Sequence, residues 1–289
     1  MARTRRHEPR PFPSCAEGVC SAPFAGAPLA LSSYNHLSVR RRRDIQERAL
    51  VVVPTYNERE NVAALIGEIL AQGPAIDVCV ADDGSPDGTG DLVRQAMAEY
   101  PGRVELIDRK EKGGRGAAVI AAFKKGLADP RGYGVFFEMN ADFSHHPREI
   151  PKFLESLKEY DMTIGSRYVP GDGTSEWGIA RPALSWLANK YIALVAGVPV
   201  RDTTSGYRAY RRVVLEATEF DRIKVKGYVV HGEMAYQAWI HGFRIGEIPI
   251  HFRNRRRAAS KLTGEEIYTA LANFALLRFR YGLRPRPRR

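Results

Sequence analysis

The sequence predicts an α/β fold in which a largely parallel sheet carries helices on both faces. Three features of the chain indicate this fold. Short apolar runs alternate with segments whose apolar residues recur at helical spacing, glycine or proline lies in the connections, and each apolar run ends in polar residues. At 289 residues the chain is long enough for a substantial core, and we expect one large domain.

Four strand candidates follow one another from residue 49. The run "ALVVVPTY" is stopped by Pro54 and leads into "ERENVAALIGEILAQG", where Val62, Leu65, Ile66 and Ile69 recur at helical spacing. "IDVCVAD" is the second strand, and a glycine-rich turn separates it from the helix in "DLVRQAMAEY". "VELIDRK" is the third strand, the glycine-initiated helix "GGRGAAVIAAFKKGLA" follows it, and "GYGVFFEMNAD" is the fourth strand.

Each of these strands ends in polar side chains. The pairs are Tyr56 with Glu58, Asp82 with Asp83, Arg109 with Lys112, and Asn140 with Asp142. Turn chemistry or helix capping would explain any single pair. Ligands of parallel α/β sheets bind at the carboxyl ends of the strands, so four polar ends in succession predict a nucleotide site there.

Positive charge is concentrated at the two ends of the chain. The formal net charge is +11, and arginine-rich stretches include "RTRRHEPR", "VRRRR" and "RFRYGLRPRPRR". Such ends suit a polyanion, which could be nucleic acid, an anionic bilayer or a nucleotide diphosphate. We interpret residues 1–48 as a basic and disordered tail, with a targeting segment as the alternative.

Cysteine use and hydropathy exclude two protein classes. Of three cysteines, Cys15 and Cys20 lie in the tail and Cys79 lies in an apolar run, so a disulfide framework is not expected and a reducing compartment fits. No apolar run reaches the length of about 18 residues that indicates a membrane-spanning helix.

Six segments in the same order resemble family 2 glycosyltransferases with the GT-A fold. They are "VVVPTYNERENV", "ADDGSPDGT", "NADFSHHP", "GSRYVPG", "TSGYRAYRR" and "HGFRIGEIPIHFRNRRRAASKL". Within that family they are most similar to polyprenyl-phosphate (dolichyl-phosphate) mannose and glucose synthases. The resemblance covers residues 49–265 and implies a Rossmann-like domain. The implied activity is an inverting transfer of a hexose to a polyprenyl phosphate, with mannose from GDP-mannose as the leading donor.

The resemblance also implies roles for particular residues. The residues that it implies for a nucleotide-sugar site are Pro54, Tyr56, Glu58, Asp82, Asp83, Arg115 and Asn140. Asn140 and Asp142 match the family's metal-binding motif, which holds Mg²⁺ or Mn²⁺ at the donor diphosphate. Here an amide replaces the first carboxylate, Ser144 stands where some relatives offer another oxygen ligand, and His146 replaces an acidic residue. We therefore expect a weak metal site that depends mainly on Asp142 and the diphosphate.

A weak metal site requires another source of positive charge for the leaving nucleoside diphosphate. The candidates are Arg115, Arg167, Arg181 and the cluster at 255–257. Arg167 and Arg181 fit family positions that face phosphates, so with Asp142 they form the predicted catalytic set, and Lys261 joins them in the predicted acceptor phosphate site.

The kind of acceptor decides whether a general base is needed. A phosphate monoester is largely a dianion at neutral pH and can attack without one. A sugar or protein hydroxyl would need a base, and Asp202, Glu233, His145 and His231 are then the candidates.

The C-terminal segment 266–289 is predicted to be an amphipathic helix followed by a basic tail. In "IYTALANFALLRFRYGL" the apolar residues fall near helical spacing and arginines lie toward the end. This helix suits the surface of an anionic membrane, which would make the protein a peripheral enzyme at the cytoplasmic face. A helix packed against the domain is the alternative.

Three other functions stay open from the sequence. "GGRGAAV" favours relatives that use UDP-sugars, so a UDP-sugar transferase with a soluble hydroxyl acceptor is one. A nucleic-acid-binding protein is the second, but no recognised module supports it, and no nucleic acid partner is expected. A catalytically weakened transferase that acts as a scaffold is the third, because of Asn140.

Overall fold

The central element of the molecule is a seven-stranded sheet. The computed structural model describes residues 47–110, 113–171, 189–192, 194–223, 229–251 and 264–282, the last range with side chains from 273 onward. The strands are β1 (Ala49–Thr55), β2 (Ile76–Asp82), β3 (Val104–Asp108), β4 (Val135–Glu138), β5 (Met162–Ser166), β6 (Arg208–Arg211) and β7 (Ile245–Pro249). The helices are α1 (Val62–Leu70), α2 (Thr89–Glu99), α3 (Arg115–Ala128), α4 (Ile150–Ser156), α5 (Arg212–Glu216), α6 (Val229–Ile240) and α7 (Gly264–Tyr281).

The strand order is β3-β2-β1-β4-β6-β5-β7. β1 pairs in parallel with β2 and β4, β2 with β3, and β5 with β7, whereas β6 runs antiparallel to β4 and β5. The predicted α/β class and the largely parallel sheet are therefore confirmed. The first four strands are the four that the sequence predicts, and the chain direction reverses only at β6.

The predicted end of β1 is slightly early. Pro54 pairs with Ala81 and Thr55 with Asp82, so the strand continues for one residue beyond the proline. Proline removes one N–H donor but keeps its carbonyl, and this loss is tolerated near the end of a strand.

Apolar side chains cover both faces of the sheet. On one face Leu50, Val52 and Phe136 join a buried cluster with Phe123 of α3, and the rings of Phe123 and Phe136 meet edge to face at 6.1 Å. On the other face Val51 belongs to a second cluster that includes residues of α1 and α4. Alternation along each strand produces these two layers.

Helix α7 packs on the domain with one of its faces. Phe274 and Leu277 are buried in the cluster around α6, and a Cβ at Gly232 would lie 2.3 Å from the Phe274 ring, so only glycine allows this close approach. At the end of the helix, Arg280 and Tyr281 donate to a carboxylate oxygen of the buried Glu233, at 3.1 and 2.6 Å. Among the helices that the structure describes, none has the length and apolar character needed to cross a bilayer.

Candidate active site

A cleft of about 230 Å³ opens at the carboxyl ends of β1 and β4, beside the start of α3. Its lining residues are Pro54, Thr55, Tyr56, Glu58, Asp83, Gly114, Arg115, Ala118, Asn140, Ala141 and Asp142. Most of the residues predicted for the nucleotide-sugar site thus lie in one cavity. Asp82 and Arg167 do not line it, and Arg181, Lys261 and the cluster at 255–257 lie outside the described residues.

The two neighbouring aspartates at the end of β2 have different surroundings. Asp82 accepts hydrogen bonds from the hydroxyl of Thr55 at 2.7 Å and from the backbone and hydroxyl of Ser85 at 2.8 and 2.6 Å, so it stabilises the turn. Asp83 faces the cleft, where it pairs with Arg109 and accepts from the backbone N–H of Gly114 at 2.8 Å. Asp83 is therefore the better placed of the two to meet a ligand.

The outer wall of the cleft is formed after β1. Asn57 adopts a left-handed conformation with φ of 59°, which turns the chain sharply between Tyr56 and Glu58. Tyr56 is 42% exposed, and Glu58 accepts a hydrogen bond from the side-chain amide of Asn61 at 3.0 Å. An exposed ring next to a carboxylate can stack on a base and accept from its N–H groups.

The floor of the cleft carries a charged network centred on Arg115, the first residue of α3. Its Nε and Nη2 donate to one oxygen of Glu138 at 3.3 and 2.9 Å, and its Nη1 donates to the side-chain oxygen of Asn140. The same Glu138 oxygen lies 2.7 Å from Nε2 of His231 in α6. Glu138 and His231 are fully buried, so three separate elements meet beneath the cleft.

The charge states of this network follow from burial and from Arg115. Burial lowers the pKa of His231, which keeps the ring neutral at neutral pH, so its Nε2–H donates to Glu138. Burial would raise the pKa of Glu138, but the positive charge of Arg115 and the hydrogen bonds donated by His231 and Arg115 outweigh it and lower this pKa to about 2. Glu138 is therefore an anion that holds the Arg115 guanidinium in place.

The loop after β4 holds the two residues predicted to bind metal. The Asn140 side-chain N–H₂ donates to Ser144 Oγ at 2.8 Å, and the backbone N–H of Asn140 donates to Nδ1 of the buried His145 at 3.0 Å. Asp142 accepts from the backbone and hydroxyl of Ser144 at 3.1 and 2.6 Å. The ring of His145 stacks on Tyr207, the residue before β6, with centroids 4.9 Å apart, and this contact helps to hold the loop in place.

This loop does not form a metal site of its own. Within the residues that the structure describes, no group of three or more His, Cys, Asp or Glu side chains is arranged to hold an ion. The Asn140 oxygen already accepts from the Arg115 guanidinium, and a second cation at that oxygen would be repelled. Asp142 is then the charged ligand that the predicted pair offers, so the side chains present do not fit a metal held by the protein alone.

Arg167 lies at the end of β5 in a second charged cluster. Its guanidinium donates to both carboxylate oxygens of the buried Asp202, at 2.8 and 2.7 Å, and to the hydroxyl of Thr204 at 2.8 Å. The pKa of Asp202 is lowered, since burial opposes the shift but Arg167 outweighs it. Arg167 thus fixes the turn before β6, and its predicted contact with phosphate stays a prediction.

The four residues predicted as alternative general bases do not line the cleft. Asp202 is bound by Arg167, Glu233 holds the end of α7, His231 contacts Glu138, and His145 accepts from Asn140. Burial lowers the pKa of His145 to about 3. Each of the four thus has a structural contact with another protein group.

The sequence predicts no particular role for Glu138, and it offers His231 only as a candidate base. A charged residue that directly follows the apolar run "GVFF" was the available signal for Glu138. The sequence also predicts no role for the fully buried Arg208, which donates to the carbonyls of Ser205, Thr203 and His231 at 2.5 to 2.6 Å. The signal there was an arginine in the otherwise apolar and aromatic stretch "GYRAY".

Comparison with known proteins identifies the family. Residues 50–218 match the family described as "Glycosyl transferase family 2". The chain belongs to glycosyltransferase family 2. The predicted family and the predicted class of enzyme, a glycosyltransferase, are therefore confirmed.

Two relatives are similar over most of this glycosyltransferase. The polyprenol monophosphomannose synthase of Mycolicibacterium smegmatis is 42% identical over 230 residues, which are 79% of this chain and 86% of that protein. The undecaprenyl-phosphate mannosyltransferase of Micrococcus luteus is 41% identical over 239 residues, which are 83% of this chain and 96% of that protein.

Solved structures share the fold. Glucosyl-3-phosphoglycerate synthase from Mycobacterium tuberculosis in complex with UDP has a TM-score of 0.61 at 17% sequence identity, covering 91% of this chain and 88% of that one. The same enzyme with Mn²⁺, UDP-glucose and phosphoglyceric acid has a TM-score of 0.59 at 18% identity, covering 89% and 84%. The predicted GT-A fold is thus confirmed.

Proposed function

We propose that this glycosyltransferase moves mannose from a nucleotide sugar to a polyprenyl phosphate, with inversion at the anomeric carbon. The observation that carries the proposal is the similarity to two proteins, each about 40% identical and similar over most of its length, that are both named for mannose and a polyprenyl-type lipid. The cleft at the strand ends supplies the chemistry that such a transfer needs.

The cleft has groups suited to each part of a nucleotide sugar. At the outer wall Tyr56 and Glu58 suit the base, and Asp83 suits a ribose hydroxyl or a base N–H. At the other end Arg115 begins α3, so its guanidinium and the positive end of the helix lie together where a diphosphate would bind. We place the leaving nucleoside diphosphate along this line, with Asp142 at its inner end.

The acceptor is proposed to be a phosphate and not a hydroxyl. A phosphate monoester is a dianion at neutral pH and needs no general base. This agrees with the structural engagement of Asp202, Glu233, His145 and His231. In the reaction a phosphate oxygen attacks the anomeric carbon, the bond to the nucleoside diphosphate breaks, and the bonding electrons leave with that diphosphate.

GDP-mannose remains the leading donor, and a UDP-sugar remains the alternative that "GGRGAAV" favours. The side chains around Tyr56 and Glu58 would suit either base. Titration of the purified protein with GDP and with UDP separates the two, because we expect the nucleoside diphosphate of the true donor to bind more tightly.

Exposed apolar residues of α7 support a contact with membrane lipid. Phe279 is 88% exposed and Leu276 is 50% exposed, on the face opposite the buried Phe274 and Leu277. Arg278 lies in the same last turn. An aromatic and a leucine beside arginines suit the surface of an anionic bilayer, where the lipid acceptor resides.

This membrane contact is tested with one substitution on α7. Phe279→Asp should reduce sedimentation of the protein with vesicles that contain anionic lipid at least threefold, because it adds a negative charge and removes the exposed ring. Met97 on α2 is 37% exposed, and Met97→Asp serves as the matched control. Equal binding by both variants would discard the α7 contact.

The activity is tested by transfer from GDP-mannose and from UDP-glucose to two acceptors, polyprenyl phosphate and the corresponding free polyprenol. We expect a mannosylated lipid phosphate from the first acceptor and no product from the alcohol, which would need a general base. Equal transfer to both acceptors, or to neither, would contradict the proposed reaction.

A further inference from the structure

The Arg115 guanidinium is held more firmly than a flexible surface arginine. Glu138 receives two of its N–H groups and Asn140 a third, and the Arg115 side chain is only 17% exposed. On another side lies Gly206, where an added Cβ would come within 2.7 Å of Nη2. The side chain therefore lies in a slot formed by β4 and the turn before β6, and it still lines the cleft.

We propose that Arg115 is a resident cation, fixed by Glu138 and Asn140, which neutralises the donor diphosphate in place of most of the charge that a metal ion would bring. Glu138 acts as a positioning residue because it contacts the guanidinium and does not line the cleft. The inference rests on the proposed function, since it assumes that a nucleoside diphosphate binds here.

The neutral amide of Asn140 suits a site in which Arg115 supplies the positive charge. An aspartate at that position would place a second carboxylate on the same guanidinium, and the floor of the cleft would become negative. A neutral amide accepts the Arg115 hydrogen bond without adding charge. Arginine also presents a planar, two-pronged donor that fits phosphate oxygens, and it needs no dehydration of an ion.

His231 supports the position of Glu138 from below. It is fully buried and contacts the same carboxylate oxygen that Arg115 uses. A glutamate in this enclosed site has few alternative conformations, so the direction of the guanidinium is set before any ligand arrives. Such preorganisation lowers the cost of binding an anion.

The first experiment measures nucleotide affinity by calorimetry, with whichever of GDP and UDP binds the parent protein more tightly. Each titration is run in EDTA and in Mn²⁺. We expect the parent affinity to differ by less than threefold between the two conditions. The Arg115→Leu variant should lose at least fivefold in EDTA, and Gly206→Ala should lose affinity in the same direction because it displaces the guanidinium.

Arg48→Leu is the matched control, because Arg48 is also a partly exposed arginine paired with a buried carboxylate, that of Asp77. It lies at the opposite end of the sheet and should leave nucleotide affinity unchanged. Arg115→Leu is also made together with Glu138→Gln, so that no buried carboxylate is left with a lost partner, and thermal unfolding verifies that each variant is folded.

The double variant also tests the positioning role. Glu138→Gln alone should weaken binding in EDTA, but the Arg115→Leu/Glu138→Gln protein should lose no more than Arg115→Leu, since Glu138 acts through the arginine. A general loss of structure would instead make the two effects add, and that result would overturn the role of Glu138.

A reciprocal variant tests the exchange of cation for metal. Arg115→Leu/Asn140→Asp removes the resident charge and restores a carboxylate pair with Asp142, so calorimetric titration with Mn²⁺ alone should detect tighter binding than in the parent. No gain would overturn the proposal. Two further results would overturn the proposal and leave the proposed function standing. One is a parent protein that binds nucleotide at least threefold more tightly in Mn²⁺ than in EDTA. The other is an Arg115→Leu variant that loses less than fivefold in nucleotide affinity in EDTA. A parent that binds neither nucleotide would overturn both.

Discussion

The two ends of the parallel strands β1, β2 and β4 both place arginines around a buried carboxylate, and the cleft described above lies at their carboxyl end. At the amino end Asp77 of β2 is 1% exposed and accepts from Arg48 at 2.8 Å and from the hydroxyl of Tyr133 at 2.9 Å. Arg103 and Arg131 lie 3.7 and 3.6 Å from the same carboxylate. At the carboxyl end Glu138 holds Arg115 in a corresponding way.

The two ends of the sheet differ in the other contacts that their arginines make. Arg103 also donates to backbone carbonyls such as those of Gly73 and Ile76, at 2.8 and 2.6 Å, and Arg131 pairs with Asp129 at 2.7 Å. These contacts join loops at the start of the sheet. Arg115 instead lies between Glu138 and the cleft. The same residue types therefore join protein segments to one another at the amino end, whereas at the carboxyl end Arg115 also lines the cleft in which we propose that a nucleotide binds.

The largest effect is expected from a substitution of Asp77 at the amino end of the sheet. Asp77→Ala removes the one carboxylate that Arg48, Arg103 and Tyr133 share, so it should lower the free energy of unfolding by about 3 kcal/mol, the lower part of the range for a broken buried ion pair, because Arg48 is partly exposed. Nucleotide affinity should not change. Urea unfolding and a nucleotide titration measure the two quantities. Weakened nucleotide binding in a folded Asp77→Ala protein would show that the two ends are coupled.

A smaller effect, on nucleotide affinity, is expected from a substitution of Asp83 at the carboxyl end. Asp83→Ala should weaken nucleoside diphosphate binding by about 1 to 3 kcal/mol, since it leaves a donor group of the ligand without its acceptor. Asp82→Ala is the control, because Asp82 is engaged by Thr55 and Ser85 and should affect stability more than affinity. Unchanged nucleotide affinity in Asp83→Ala would remove this residue from the predicted site.

The elements around the cleft could be predicted because their signals are local. Each of the first four strands is an apolar run that ends in polar residues, and parallel pairing brings those ends to one edge. The sequence therefore predicts Tyr56, Asp83 and Asn140 at this edge, and all three line the cleft. Asp82 was grouped with Asp83, although the two side chains differ in direction, because the sequence does not contain the details of the turn.

The network beneath the cleft could not be predicted because its contacts are distant along the chain. Glu138 and His231 are separated by 93 positions, and they meet because β4 and α6 pack on the same layer. Arg167 was predicted to hold phosphate, but a sequence pattern does not reveal that Asp202 already occupies its guanidinium. Pairing between charged side chains is a property of tertiary packing, so motif spacing alone does not determine it.

The smallest expected effect is that of acidification on the free energy of unfolding. It should act on the carboxyl end of the sheet, because the cluster around Asp77 has no histidine among its described partners. Burial lowers the pKa of His145 from its ordinary value of 6.5 to about 3, so between these values the unfolded chain binds a proton that the folded chain does not. The contribution of the neutral His145 ring to stability is therefore complete above pH 6.5 and is lost as the pH drops below it, by about 1.4 kcal/mol per pH unit. Urea unfolding at pH 7.5, 6.5 and 5.5 measures this slope. The His145→Asn variant keeps an acceptor for the N–H of Asn140 but has no ring that can titrate. The dependence of its unfolding free energy on pH below 6.5 should therefore be shallower than that of the parent by about one proton. An equal pH dependence in the two proteins would mean that His145 is protonated in the folded protein.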